Sequence, residues 1–417
     1  MLLAFLNKNF KIILLLSILL IVFYRSPYIF LNGRFVAEEG QFFFRNSFLN
    51  GPFIGLTQIM WSSPYINFWA NISSVFASFL PLEYAPLGTV YMAFIVQLYL
   101  FIFIIFGESL LIINKKDKII ISLLVLIAPP MVASVWLNTL TSQVYFTVLT
   151  VLIFFQKDIK NNLFNKLSPF ILLISGLTSI LPCVFFPFFY LRYFRNKSQF
   201  NLINLISLLI PTTLQSILFV FVKINNLELY LDGPRYILSF GKLINYFYNV
   251  VIKSFFGRDL TQVFFFKFFD LTNLPILLFF ISLIILIFLK INYKKIKDDK
   301  ILRTLFLFFI IQSALVIYAA KFESVQGRYA VVPGILLLFF IYRMYQITDK
   351  WNKNLCAILI FFSLITGGYE FKMNNKYTQF LTCINCPVWK EELDKWKLNK
   401  DYEIKIWNYP GKTMKLN

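Results

Sequence analysis

Apolar runs long enough to cross a bilayer recur along this chain, and short basic connectors separate them. A helix covers the hydrocarbon core with about 20 residues, and backbone at that depth must satisfy its own hydrogen bonds. The pattern leaves an all-α, polytopic membrane protein as the fold class. Composition agrees, with 59% of the 417 residues hydrophobic and 14% charged, against about 25% charged in a soluble domain. The formal charge of +20 sits in the connectors, where the cytoplasmic side of a membrane holds Lys and Arg. The lipid bilayer is therefore the expected partner of this charge, and nucleic acid is not.

The chain can be traced by its flanks. Lys8 and Lys11 precede the run Ile12 to Tyr24, and no small-residue cleavage site follows. This reads as an uncleaved anchor with a cytoplasmic N-terminus. Residues 31–83 form a long outer loop. Pro86 to Ile113 crosses inward to Lys115-Lys116-Asp117-Lys118, Ile119 to Trp136 goes out, and Asn138 to Ser142 turns the chain back toward Lys157 and Lys160. Ser168 to Leu191 has basic residues on both flanks and a helix-breaking centre, Ser175 to Pro182. It reads as a hairpin of two short spans lining a cavity, since broken backbone at membrane depth must be satisfied there. Further spans are expected over Leu202–Val222, Leu271–Leu289, Leu302–Ala320, Tyr329–Tyr345 and Leu355–Tyr369. The total is about eleven spans. It gives a transmembrane domain over residues 1–371, a long outer loop over 223–270, and a small non-cytoplasmic cap over 372–417. Counting the hairpin as one span would put Lys290 to Arg303 outside, against the charge rule.

Some chemistries are excluded at once. The chain has no His, which removes imidazole bases, Ser-His-Asp triads, His-ligated zinc and haem. Cys183 and Cys356 fall in apolar spans and read as packing residues. Cys383 and Cys386 form one C-x-x-C, which is half a zinc site, or a local disulfide if the tail is outside. No resident metal site or cofactor is expected from these residues.

The first outer loop carries the one acidic motif beside a span: Ala37-Glu38-Glu39-Gly40, followed by Gln41 and three Phe. Apolar surroundings and a neighbouring charge raise a carboxylate pKa, which suits a general base or a metal ligand. The plainer reading is a solvated pair opening an interfacial helix, where the dipole favours acids. Adjacent side chains diverge by about 100° on a helix, so the two are not expected to share one role. On the same side, Arg328 ends a short loop at the mouth of a span, with Lys321 before it and Tyr329 after it, and Arg235 and Arg258 lie in the long loop. Each is either a phosphate-binding fork or a headgroup anchor. Asn138 and Gln143 flank the tight second outer turn and either bind sugar hydroxyls or cap the turn.

A hydrophobic first span followed by an acidic pair early in the first outer loop resembles the GT-C glycosyltransferases. Within them it is most similar to a group of bacterial membrane proteins with an Ala-Glu-Asp-Gly motif, here with Glu39 at the third place. Pro81 to Pro86, Ser175 to Ser179, Gly327-Arg328-Tyr329 with Pro333, and the tail residues Trp389 to Glu392, Trp396, Ile406-Trp407 and Leu416 add to the resemblance. The resemblance implies sugar transfer from a polyprenyl-phosphate-linked donor to a glycan, lipid or protein acceptor on the outer face of a bacterial cytoplasmic membrane. Glu39, or else Glu38, would be the base, and a basic residue or a divalent cation would receive the departing phosphate. A flippase or transporter, which normally carries ionisable residues at mid-membrane, and a glycan polymerase are the competing readings.

Overall fold

The computed structural model describes residues 9–61, 65–225, 239–268, 290, 292–320, 325, 327–371, 381, 386–407 and 412–417. Their helices are α1 (Phe10–Arg25), α2 (Pro27–Asn32), α3 (Arg45–Thr57), α4 (Phe68–Ser78), α5 (Ala85–Phe106), α6 (Lys115–Ile127), α7 (Ser142–Phe154), α8 (Leu163–Thr178), α9 (Ile180–Cys183), α10 (Phe186–Arg195) and α11 (Gln199–Ile224). They continue as α12 (Phe240–Tyr246), α13 (Lys253–Phe268), α14 (Tyr293–Asp298), α15 (Lys300–Ala319), α16 (Val331–Ile347), α17 (Lys350–Glu370) and α18 (Trp389–Leu398). The described sheet is one antiparallel pair, β1 (Ile404–Lys405) with β2 (Thr413–Met414).

Sequence dictates where these helices stop. α1 ends at Ser26, and Pro27 starts α2 at the position where a missing N–H costs nothing. α6 opens on a capping box, the Asn114 side chain accepting from Asp117 N while Asp117 reaches back. It ends at Ala128, before Pro129 and Pro130, whose fixed φ and missing donors cannot continue it. Gly51 (φ +84°) and Gly257 (φ +67°) break α3 and α13 internally, in a backbone region that only Gly enters cheaply.

The helical membrane class is seen, but eleven spans are not. Among the described residues four segments are long and apolar enough to cross a membrane: Leu82–Phe106, Gln199–Ile224, Lys300–Ala319 and Gly327–Ile347. A fifth is counted if the pair Leu163–Thr178 and Ile180–Arg195, bent by 119°, is one span. The reasons for the shortfall are local. The apolar run from Ile119 to Trp136 is helical only to Ile127 because the prolines end it. α7 has 13 residues and α1 has 16, short of the length required. The expected span Leu271–Leu289 lies outside the described residues.

The chain divides into two compact units. One comprises Met1–Ser109, Ala133–Asp232 and Asn374–Asn417, and the other Leu110–Val132 and Gly233–Met373. In the first, the tail forms a helix and hairpin whose Trp389, Ile406, Met414 and Leu416 pack with Phe35 and Phe44 of the first loop. Cys386 is disulfide-bonded, Cys383 lies outside the described residues, and Cys183 and Cys356 are free and buried. In the second unit, Tyr246 of α12 packs with Val316 and Ile317 of α15 and with Val325 and Ala330.

Candidate functional site

The acidic motif is a folded turn. Ala37 takes a left-handed conformation (φ 47°), which lets Glu39 N and Gly40 N bond back to Val36 O and Ala37 O at 3.0 and 3.2 Å. Gly40 is required by contact, since a Cβ there would lie 2.8 Å from the Phe35 Cβ. The tail edges this turn as a parallel bridge between Val36 and Trp407. Trp407 N donates to Phe35 O at 3.1 Å, and Ala37 N donates to Trp407 O at 3.5 Å.

The two carboxylates then separate completely. Glu39 is 1% exposed. Its Oε2 accepts from Val36 N at 3.3 Å, and its Oε1 accepts from Thr139 N at 3.1 Å and from the Thr139 hydroxyl in a short bond. Arg34, equally buried, donates to Trp136 O at 3.0 Å and Leu137 O at 3.1 Å. A carboxyl group thus takes the donors of the second outer turn while a guanidinium takes its carbonyls. The pair clamps residues 136–139 onto the first loop, and Leu137 is held left-handed (φ 46°) inside the clamp. Burial pushes the Glu39 carboxyl above the usual carboxylate range, with the Thr139 bonds, Arg34 and Val36 pulling against it. Burial also lowers the Arg34 guanidinium to about 10. The Arg34 guanidinium lies 5.3 Å from the centre of the Trp407 ring.

Glu38 faces the other way. Its side chain is 38% exposed, and Lys412 Nζ of the tail stands 3.5 Å from its Oε1. This carboxylate is open to solvent, next in the chain to the buried Glu39.

The remaining sequence candidates fall as follows. Asn138 is buried and caps the turn, its Oδ1 accepting from Leu140 N at 3.0 Å and its Nδ2 donating to Ser134 O at 3.3 Å. Gln143 is half-buried in the first turn of α7. These two share the first unit with Glu38 and Glu39, and Arg328, Tyr329 and Arg258 belong to the second. Arg328 is exposed, with its guanidinium 5.6 Å from the Tyr329 ring centre. Arg258 follows the Gly257 break, where its N–H donates to Glu370. Lys321 and Arg235 lie outside the described residues. Among the described residues no group of three His, Cys, Asp or Glu side chains could hold a metal ion.

Sequence reading missed Arg34, Thr139 and Lys412. Arg34 carried a signal: an Arg four residues before two acids, in a loop assigned to the outer side, departs from the charge rule and asks for a partner. Thr139 and Lys412 carried none, because only the fold brings them to positions 38 and 39. No family model, curated protein or solved structure matches this chain.

Proposed function

We propose that this chain is a membrane glycosyltransferase that moves a sugar from a polyprenyl-phosphate-linked donor to a hydroxyl acceptor at the outer face of a bacterial cytoplasmic membrane. The observation that carries the reading is the division of labour inside the acidic motif. One carboxylate is spent on a buried clamp, and the clamp presents the other at the surface beside a lysine. A pair that merely decorated an interfacial helix would leave both acids in water.

In this reading Glu38 is the base and Glu39 a positioning residue, because a base must come within hydrogen-bond reach of the proton it removes. Glu38 takes the proton of the acceptor hydroxyl as the acceptor oxygen bonds to the anomeric carbon. The bond from that carbon to the donor phosphate breaks with inversion, and the phosphate leaves with the electron pair. Lys412 is the counter-ion that Glu38 exchanges for the acceptor hydroxyl. The departing phosphate needs a cation, from a basic side chain or a divalent ion.

Glu38→Gln removes the proton acceptor without changing side-chain size. Membranes bearing this variant at normal abundance, supplied with a polyprenyl-phosphate sugar, should show sugar transfer lowered at least 100-fold. Full transfer by that variant would overturn the assignment.

Translocation of a lipid-linked glycan is a second reading, favoured by one observation. Gln97 on α5 and Asn204 on α11 are 1% exposed within apolar helices, and no described protein group meets either end of their amides. Buried polar groups at that depth ordinarily find partners or line a path. Passage of a labelled lipid-linked sugar across vesicles that is lost in Gln97→Leu and kept in Glu38→Gln would select this reading.

A further inference from the structure

The charged end of the second unit carries a feature that sugar chemistry does not use. α6 begins with Lys115 and Lys116, and α17 carries Lys353 in its first turn. Cations at the positive end of a helix dipole are placed against its field. Yet Lys116 and Lys353 converge on one ring. Lys116 Nζ donates to Tyr345 OH at 2.6 Å and lies 4.9 Å from the ring centre, and Lys353 Nζ lies 5.4 Å from the same centre.

Nearby carboxylates are engaged elsewhere. Asp117 is buried and accepts from Ile113 N, Asn114 N, Tyr342 OH and Gln346 Nε2, at 2.8, 3.0, 2.6 and 3.0 Å. Asp349 pairs with Lys295, and Asp299 pairs with Arg343 at 2.6 Å. Asp298 is exposed on α14. Among the described residues neither Lys116 nor Lys353 is paired with a carboxylate. The carbonyl end of α16, where Tyr345 sits, offsets part of this charge. It does not neutralise two ammonium groups. The surroundings also point to lipid, since Trp351 is 82% and Tyr293 65% exposed among the lysines, as in the aromatic belts at the headgroup boundary.

We infer that Lys116, Lys353 and the Tyr345 ring form a binding site for the phosphodiester of an anionic phospholipid headgroup in the surrounding bilayer. The ammonium groups supply point charges to the phosphate, and the chemistry matches the basic pockets between membrane helices that take acidic lipids. A surface lysine contributes about fivefold in affinity for acidic lipid, so removing both should cost roughly thirtyfold.

The test uses the full chain in a zwitterionic detergent, with lipid retention read by native mass spectrometry and the unfolding midpoint read alongside. Phosphatidylglycerol should be retained over phosphatidylcholine and should raise the midpoint. The preference should vanish in Lys116→Gln/Lys353→Gln, survive in Lys116→Arg/Lys353→Arg, and be reduced but kept in the α14 control Lys294→Gln/Lys297→Gln. Equal retention of the two lipids by the natural chain overturns the proposal, a result that does not depend on any variant folding. A preference that persists in the Gln pair overturns it too, as does equal stabilisation by inorganic phosphate, which would make the site one for a soluble anion.

Discussion

At the scale of single residues, the clamp makes Arg34 the most consequential side chain of the first loop. Arg34→Met strips the donors from the Trp136 and Leu137 carbonyls and leaves Glu39 buried without its cation. Breaking a buried pair from one side costs about 3–5 kcal/mol, and detergent-solubilised protein should unfold correspondingly earlier in a denaturant titration. Glu39→Gln keeps the volume and one acceptor oxygen, so its cost is that of a mispaired buried bond, about 1–3 kcal/mol. The double variant should cost less than the two together, because the two residues grip one segment. The sign of the pH dependence follows from burial, which raises the folded pKa of Glu39 above its ordinary value of 4.5. Its contribution is then fully present below about 4.5 and is lost as the pH rises through the folded pKa. Stability measured against Glu39→Gln over a pH series should show the natural chain's advantage shrinking upward from that point; an advantage growing with pH would mean a lowered pKa. Backbone strain gives a third check. Ala37 stands at φ 47°, so Ala37→Gly should be neutral within about 1 kcal/mol, whereas the β-branched Ala37→Val should unfold the turn. The acidic motif was legible as a candidate site because two acids beside a greasy loop are costly. Which acid faces solvent was not, since that depends on Thr139 and Lys412, about 100 and 370 residues away in sequence.

At the scale of elements, the break between α8 and α9 shows what sequence can and cannot supply. Ser175 to Pro182 announces an interruption, and the structure interrupts the helix at Ser179, whose side chain accepts from Leu181 N at 3.2 Å. The partner that makes the break tolerable is remote. Gln215 on α11 donates to Gly176 O at 2.9 Å, Leu177 O at 3.2 Å and Ile66 O at 3.3 Å, and accepts from Ile66 N at 3.0 Å. A glutamine inside an apolar 26-residue helix looks like an anomaly in sequence. In the fold it supplies the hydrogen bonds that the broken helix end lacks. Gln215→Leu should therefore destabilise the chain by about 1–3 kcal/mol although it makes α11 more apolar, and a thermal unfolding scan in detergent decides the sign. A stabilised variant would show that solvent, not Gln215, serves those carbonyls. The same crossing explains Gly176, where a Cβ would lie 2.5 Å from Pro211 Cγ. Gly176→Ala should push the helices apart at a cost of about 1–3 kcal/mol.

At the scale of the whole molecule, hydropathy established the solvent of the chain, and hydropathy alone miscounted its crossings. Apolar runs ended by prolines or cut to 13 and 16 residues are as greasy as true spans but too short. Segment lengths are fixed by turn chemistry rather than by mean composition. The side of the membrane therefore has to come from charge and cysteine chemistry. Lys115 to Lys118, Lys290 to Arg303 and Arg343 to Lys353 are basic, the pattern expected of cytoplasmic connectors. The tail that follows α17 contains the disulfide-bonded Cys386, and disulfides persist in oxidising compartments and are rare where glutathione keeps thiols reduced. The proposed outer-face reading requires residues 386–417 to lie outside. A phosphatase reporter that is active only outside the cytoplasm, fused after Asn417, should be active. In intact cells Cys386 should resist a membrane-impermeant thiol reagent until a reductant is added. An inactive fusion with a thiol that reacts only after lysis would place the tail, Lys412 and the Glu38 carboxylate in the cytoplasm, and an outer-face glycosyl transfer would fall with them.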